Sequence, residues 1–295
     1  MMKIQNTMNR LLTIVCGWGI TLLSSCMDTA VVDADISELQ PQGLTRFDGT
    51  IYEYLQNDDL DLGVTYDSLM LLIDYEEPDC PVELKFSELK RCLQDEAGQY
   101  TFMAIPDSCF RHALQELNRY RRLNELMIDS DDFSEEIPES EKYAAGELTL
   151  NKLLNYRKDI ERTDEKNPEK KWTDSYIYKD GLDSLVCRYM TPGIYDTETL
   201  SGFSYVEGKV IQGLHNYRMN LAYRRLPASG FVGGGLKDLT IYDMRNTLEK
   251  EKWESAKMLW TDIYAKNGGI HVLLPQHEFG FGRFIQYFRN VGHEK

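Results

Sequence analysis

The sequence is short of positive charge. It carries 33 Lys and Arg against 48 Asp and Glu, for a net charge of −15. Nucleic-acid binding rests on clustered cations that neutralise phosphates, so this balance argues against it. It equally disfavours electrostatic docking on an anionic membrane. No apolar run reaches the roughly 20 residues that a membrane-spanning helix needs. The signatures of chemistry are also missing. There is no Gly-x-Ser-x-Gly nucleophile elbow and no His-Glu-x-x-His, although His277-Glu278 begins one. Gly233-Gly234-Gly235 is followed by no Lys-Ser/Thr pair and reads as a loop between strands rather than a phosphate cradle. No two of His112, His215, His271, His277 and His293 stand four apart, and there is no Cys-x-x-Cys. We therefore expect no metal and no cofactor. A pair of catalytic carboxylates stays open, because sequence does not give their separation.

What is present is a globular composition, 42% hydrophobic and 27% charged over 295 residues, enough for one large domain or two small ones. The first 25 residues read as an address. Lys3 and Arg10 precede a mainly apolar run over 11–23, which ends in Leu23-Ser24-Ser25-Cys26. A basic start, a short apolar core and small residues describe an export signal; a simple anchor or a soluble secretory signal is the plainer alternative. Leu-Ser-Ser-Cys resembles the lipobox of bacterial lipoproteins. That resemblance implies cleavage before Cys26, diacylglycerol on its thiol and acylation of the new N-terminus, and several acyl chains anchor stably where one is marginal. Loss of Lys3 and Arg10, the only charges in 1–25, would take the net charge from −15 to −17. Residues 26–45, with Asp28, Asp33, Asp35 and Glu38, read as an acidic tether. They loosely resemble a surface-export signal.

Cys80, Cys92, Cys109 and Cys187 remain after Cys16 is removed and Cys26 lipidated. Export permits disulfides and four thiols allow three pairings. The apolar settings of Cys109 and Cys187 favour buried free thiols.

Along the body, residues 50–55 and 64–75 have helical spacing, and 86–93 suggest a third helix. Residues 100–105 read as a buried strand that stops at Pro106-Asp107, where Asp107 or Ser108 would cap a helix from Cys109 toward Leu126. The acidic stretch 129–141 lacks the Gly of a calcium loop and reads as a solvated loop. Residues 148–160 have helical spacing, 164–171 are a charge-mixed connection, and 182–190 form an amphipathic helix. From 193 to 243 the texture is β-rich, including 203–206, 210–211, 217–223 and 239–242. The end is mixed, with a turn at Asn267-Gly268 and a strand from Ile270. Asn267-Gly268 would supply the positive φ of a tight turn. Ile270 and Val272 would face the core with His271 on the other side, a hydrogen-bonded structural histidine rather than a ligand.

Three segments carry a family resemblance. Tyr100-Thr101-Phe102-Met103-Ala104-Ile105-Pro106-Asp107 is a strand running into a helix start. Leu185-Val186-Cys187-Arg188-Tyr189-Met190 is an apolar motif ending in Tyr. Residues 256–272 contain Asp262, Asn267, Gly268 and His271. In this order the chain resembles the fasciclin-like domain. Met190 replaces the family's His after Tyr, and the integrin-contact mode of animal members is not implied. The resemblance implies an α+β fasciclin-like fold, a β-sandwich or wedge with several packed helices and a helical insertion at about 118–180. Residues 46–295 would form one such domain. It also implies a lipid-anchored outer-membrane protein, exposed at the cell surface. Such a protein would mediate adhesion, or serve as an accessory subunit beside a starch-utilisation-like uptake system of gut anaerobes. Its partner would be a protein, or a glycan or matrix component. An exported carboxylate-dependent glycoside hydrolase is the alternative. Aromatic rings stack on sugars and anchor interfaces. Trp172, Tyr176 and Tyr178, aromatic in a polar setting, and Tyr189 are the candidate binding residues; rings packing an insertion onto the core are the plainer reading.

Overall fold

The computed structural model describes residues 45–57, 63–75, 85–127, 146–228 and 234–294. Cys26, Cys80, the leader, nearly all of the tether and the acidic stretch 129–141 lie outside them. The chain divides into two units. The smaller, which includes Leu226–Leu236, shows a backbone tie from Leu226 N to the Leu236 carbonyl at 2.9 Å. All that follows concerns the larger, Gly43–Arg225 with Lys237–Lys295.

Among the described residues three helices come first, α1 (Ile51–Leu55), α2 (Asp67–Ile73) and α3 (Lys85–Gln94). A reciprocal capping box starts α1: Glu53 N–H donates to Thr50 Oγ1 at 3.2 Å, and Thr50 N–H to Glu53 Oε2 at 2.7 Å. Strand β1 (Tyr100–Ala104) then leads into α4 (Asp107–Leu123). Pro106, extended at φ −62°, stands at the cap of α4, where its missing N–H costs no helical bond. Asp107 does not cap its own helix. Its carboxylate accepts from the N–H groups of Ser68 at 2.6 Å and Asp67 at 3.1 Å, which closes the start of α2.

The expected helix over 148–160 is half right. Helix α5 (Leu150–Asn155) stops, and β2 (Arg157–Thr163) pairs antiparallel with β3 (Lys171–Ile177). Asp164 turns the chain between the two strands by accepting from Lys166 N–H at 2.8 Å and Asn167 N–H at 3.3 Å, an Asx turn. Helix α6 (Lys179–Val186) follows, then a 3₁₀ turn over Cys187–Tyr189 and strand β4 (Met190–Pro192). After α7 (Thr197–Leu200) come β5 (Lys209–Gln212), β6 (Arg218–Arg225), β7 (Lys237–Asp243), β8 (Glu254–Ala265) and β9 (Gly268–Leu273), and α8 (Phe284–Phe288) closes the chain. The strand expected over 203–206 is instead a run of turns.

The main sheet has seven strands in the order β4-β1-β9-β8-β7-β6-β5. All pairs are antiparallel except β1–β9. Strand β8 joins its halves: Glu254 to Lys257 pair with β7, and Met258 to Ala265 with β9. Two register shifts in β8 bend the sheet there. Its edge strands approach each other, with Thr191 Oγ1 of β4 donating to the Gln212 carbonyl of β5 at 2.7 Å. The result is an α+β fold with a nearly closed sheet and helices packed around it.

The apolar C-terminal run is core. In Phe279-Gly280-Phe281-Gly282-Arg283-Phe284 all three Phe are buried. Gly280 and Gly282 take φ of 96° and 68°, so the chain folds back on itself within six residues. Phe279 packs on Phe110 of α4 at 4.4 Å, and Phe281 stacks on Tyr189 at 4.9 Å.

Candidate functional site

Among the described residues the β2–β3 hairpin forms a two-stranded sheet of its own, separate from the main sheet. Strand alternation places Arg162, Trp172, Asp174 and Tyr176 on one of its faces. These four side chains form a linked row. Trp172 Nε1–H donates to Asp174 Oδ1 at 3.1 Å, Arg162 Nε–H to Asp174 Oδ2 at 3.0 Å, and Arg162 Nη2–H to the Tyr176 hydroxyl at 3.2 Å. Trp172 is 44% exposed and Tyr176 partly so. The row thus presents two aromatic rings, a carboxylate and a guanidinium, with the indole and guanidinium orientations fixed by shared bonds.

The other two candidate aromatics are placed differently. Tyr178 is half-buried at the hairpin's foot, edge-on to Tyr156 at 5.3 Å and donating to Glu294 Oε1 at 2.7 Å. Tyr156 donates to Glu294 Oε2 at 2.9 Å. Burial opposes the Glu294 charge, yet the Tyr178 hydroxyl, the backbone N–H groups of Glu294 and Gly292, and the Tyr156 hydroxyl hold its carboxyl below the ordinary range. Tyr189 is fully buried; its hydroxyl accepts from Gly280 N–H at 2.9 Å and lies 2.7 Å from His277 Nε2. It offers no ring face to a ligand.

A polar cluster lies inside the bend of β8. Asp262 takes φ 62° at the register shift. Its N–H donates to His271 Nδ1 at 3.2 Å, so His271 Nε2–H donates to the Tyr195 carbonyl, 3.0 Å away. The Asp262 carboxylate accepts from Thr197 N–H at 2.8 Å, from the Thr197 hydroxyl and from the Lys237 ammonium. Burial works against that charge, yet Lys237 and Thr197 hold its pKa below the ordinary Asp value. Burial keeps His271 neutral, its pKa lowered despite Asp262 nearby. Both ring nitrogens and both carboxylate oxygens are used internally, and the cluster ties residues 195–197 to the β8–β9 corner. Asn267 is also buried and does not take the left-handed conformation expected of it. It acts through its amide: Oδ1 accepts from Ile51 N–H at 2.8 Å, and Nδ2 donates to the Cys92 and Leu93 carbonyls at 3.2 and 2.8 Å. Gly268, at φ 155°, is required by packing, since a Cβ there would sit 1.9 Å from the Tyr100 carbonyl oxygen.

An open groove of about 820 Å³ is lined by residues including Glu88, Cys92, Tyr100, Pro192 and Leu214. Its carboxylates Glu88 and Asp95 lie seven residues apart along α3 and its end, about 10 Å at helical rise. They stand along one wall, so they do not make the facing pair of a glycosidase. Next to Glu88 lies a set of groups with metal-ligand chemistry. Asp183 and Cys187 are one helical turn apart on α6 and the turn after it, and His215 projects from the β5–β6 connection. One ligating atom from each lies within 4.8 Å of the others. Sequence reasoning missed this set because it sought i, i+4 spacing only between histidines; Asp183-x-x-x-Cys187 has it. Cys109 and Cys187 are buried free thiols and Cys92 is a half-buried one.

No family model matches the chain, and no curated protein matches it. Among solved structures it shows a distant similarity to a FAS1 domain pair from the insect cell adhesion molecule fasciclin I. The identity is 12% and the TM-score 0.38, over 76% of this chain and 49% of that one. The chain thus spans about half the length of that structure.

Proposed function

We propose that this chain is a lipid-anchored, cell-surface binding protein of fasciclin-like type that carries out no chemistry. Its ligand-facing element is the β2–β3 hairpin. The observation that carries this reading is the linked row of Trp172, Asp174, Arg162 and Tyr176, with Trp172 exposed and the other three half-exposed. Aromatic faces supply sequence-tolerant stacking area at low entropic cost, and the carboxylate and guanidinium supply directed hydrogen bonds. That combination suits a glycan or a polar protein surface. The Leu-Ser-Ser-Cys26 motif supports display on a lipid tether at the outer membrane. The service would be adhesion, or an accessory role beside an uptake complex. Against the glycosidase reading, the groove carboxylates follow one another along α3 and the residue after it, and the buried Asp262 and His271 are spent on internal bonds.

The test is to solubilise the native lipoprotein in detergent, recover it with its partners, and probe the same preparation on glycan and matrix arrays. A stable partner or a saturable glycan signal is expected. Recovery of neither contradicts the proposal.

A further inference from the structure

We infer that Asp183, Cys187 and His215, closed by Glu88, form a binding site for one borderline divalent transition metal ion, zinc in the first instance. A tetrahedral zinc bound at about 2.0–2.3 Å by sulfur, nitrogen and oxygen holds its ligand atoms roughly 3.4–3.6 Å apart. Two edges of that tetrahedron are already near this length. Cys187 Sγ lies 3.9 Å from Asp183 Oδ1, and His215 Nε2 lies 3.7 Å from Glu88 Oε2. All separations within the Asp183–Cys187–His215 set are within 4.8 Å. A contraction of about 1 Å at the widest brings the Asp183, Cys187 and His215 atoms onto one ion, and Glu88, beside His215, reaches the fourth position by a side-chain rotation.

The donor set selects the metal class. A thiolate, an imidazole and two carboxylates suit zinc or cobalt and are too soft for magnesium or calcium, which take oxygen ligands. The charge also closes. Two carboxylates, one thiolate and a neutral imidazole around a divalent ion leave a net charge of −1. The Cys187 thiol gives up its proton to solvent as the metal–sulfur bond forms.

The backbone supports the same placement. Asp183 and Cys187 are both buried, on a rigid helical turn. His215 and Asn216 are consecutive non-glycine residues in the left-handed region, at φ 58° and 62°. Arg188, adjacent in sequence, is engaged elsewhere, with Asp243 at 3.3 Å and over the Tyr217 ring at 4.0 Å. The bound ion would pin α3, α6 and the β5–β6 turn together at one end of the groove.

The experiment uses the full-length chain in detergent, reduced and stripped with a chelator, then titrated with Co²⁺ and back-titrated with Zn²⁺. We expect one cobalt per chain, with a thiolate-to-cobalt charge-transfer band that zinc abolishes. Cys187→Ser should remove the band, and His215→Ala and Asp183→Asn should weaken cobalt binding at least tenfold. Cys92→Ser, a thiol of the same groove, should change neither. His215 lies at a partly exposed turn, so His215→Ala keeps the test valid if a core variant fails to fold; its thermal unfolding should match the metal-free wild type. Sub-stoichiometric uptake by the wild type would overturn the assignment, as would a thiolate band that survives Cys187→Ser or disappears in Cys92→Ser.

Discussion

At the scale of single residues, the buried histidines set the acid limb of stability. Burial lowers the His277 pKa to about 3, whereas an unfolded chain titrates near 6.5. Between those values the unfolded state binds a proton that the folded state does not. Stability is therefore whole above pH 6.5 and falls as pH drops toward 3. At pH 5 the His277 share of that loss is about 2 kcal/mol. Urea unfolding at pH 7.5 and pH 5 should show it, and His277→Gln should flatten the difference by about that amount. Asp262 acts further down the scale. Its folded pKa is depressed, so its contribution is present above the ordinary Asp value and fades as pH falls below about 4. Asn267 has no role in pH dependence but a large one in packing. Asn267→Ala strips partners from three backbone groups, Ile51 N–H and the Cys92 and Leu93 carbonyls. It should cost about 3 kcal/mol in urea unfolding, since each unsatisfied buried group costs about 1–3 kcal/mol.

At the scale of elements, β1 and β9 form the parallel pair on which the sheet depends. Gly268→Ala would place a methyl against the Tyr100 carbonyl. The measurable outcome is loss of the cooperative thermal transition or insoluble expression; an unchanged melting temperature would show that this packing is unimportant. The hairpin makes the opposite case. Its residues 157, 159, 161 and 163 and their neighbours 171, 173, 175 and 177 are all exposed. Replacing 159–175 with a two-residue turn should leave a single cooperative transition by circular dichroism. How legible each element was follows from its burial. Residues 100–105 are apolar on both faces and could be read as a buried strand directly. The hairpin could not be read, because Arg157-Lys158-Asp159-Ile160-Glu161-Arg162 buries nothing and its charges fit helical spacing equally well. Trp172 and Tyr176 could be picked out as aromatics in polar sequence, but their link through Arg162 and Asp174 depends on strand register. Tyr189 stood in equally suggestive sequence, yet the aromatic run after Pro275 folds over it, a long-range contact that local pattern does not contain. The Asp183–Cys187–His215 set likewise exists only once the β5–β6 turn meets α6.

At the scale of the whole molecule, the proposal joins a lipid tether to a folded body that offers one aromatic row to its surroundings. Cys26→Ser should shift the protein from the membrane fraction to the soluble fraction without altering its melting temperature. The hairpin makes the sharper demand, because the proposal requires it to be dispensable for the fold and indispensable for binding. The most direct test compares detergent-solubilised wild type with the Trp172→Ala/Tyr176→Ala double variant for retention of the co-purifying partner or the array-identified glycan. The account predicts equal folding by circular dichroism and at least tenfold weaker binding by the variant. Equal binding by the two proteins would contradict it.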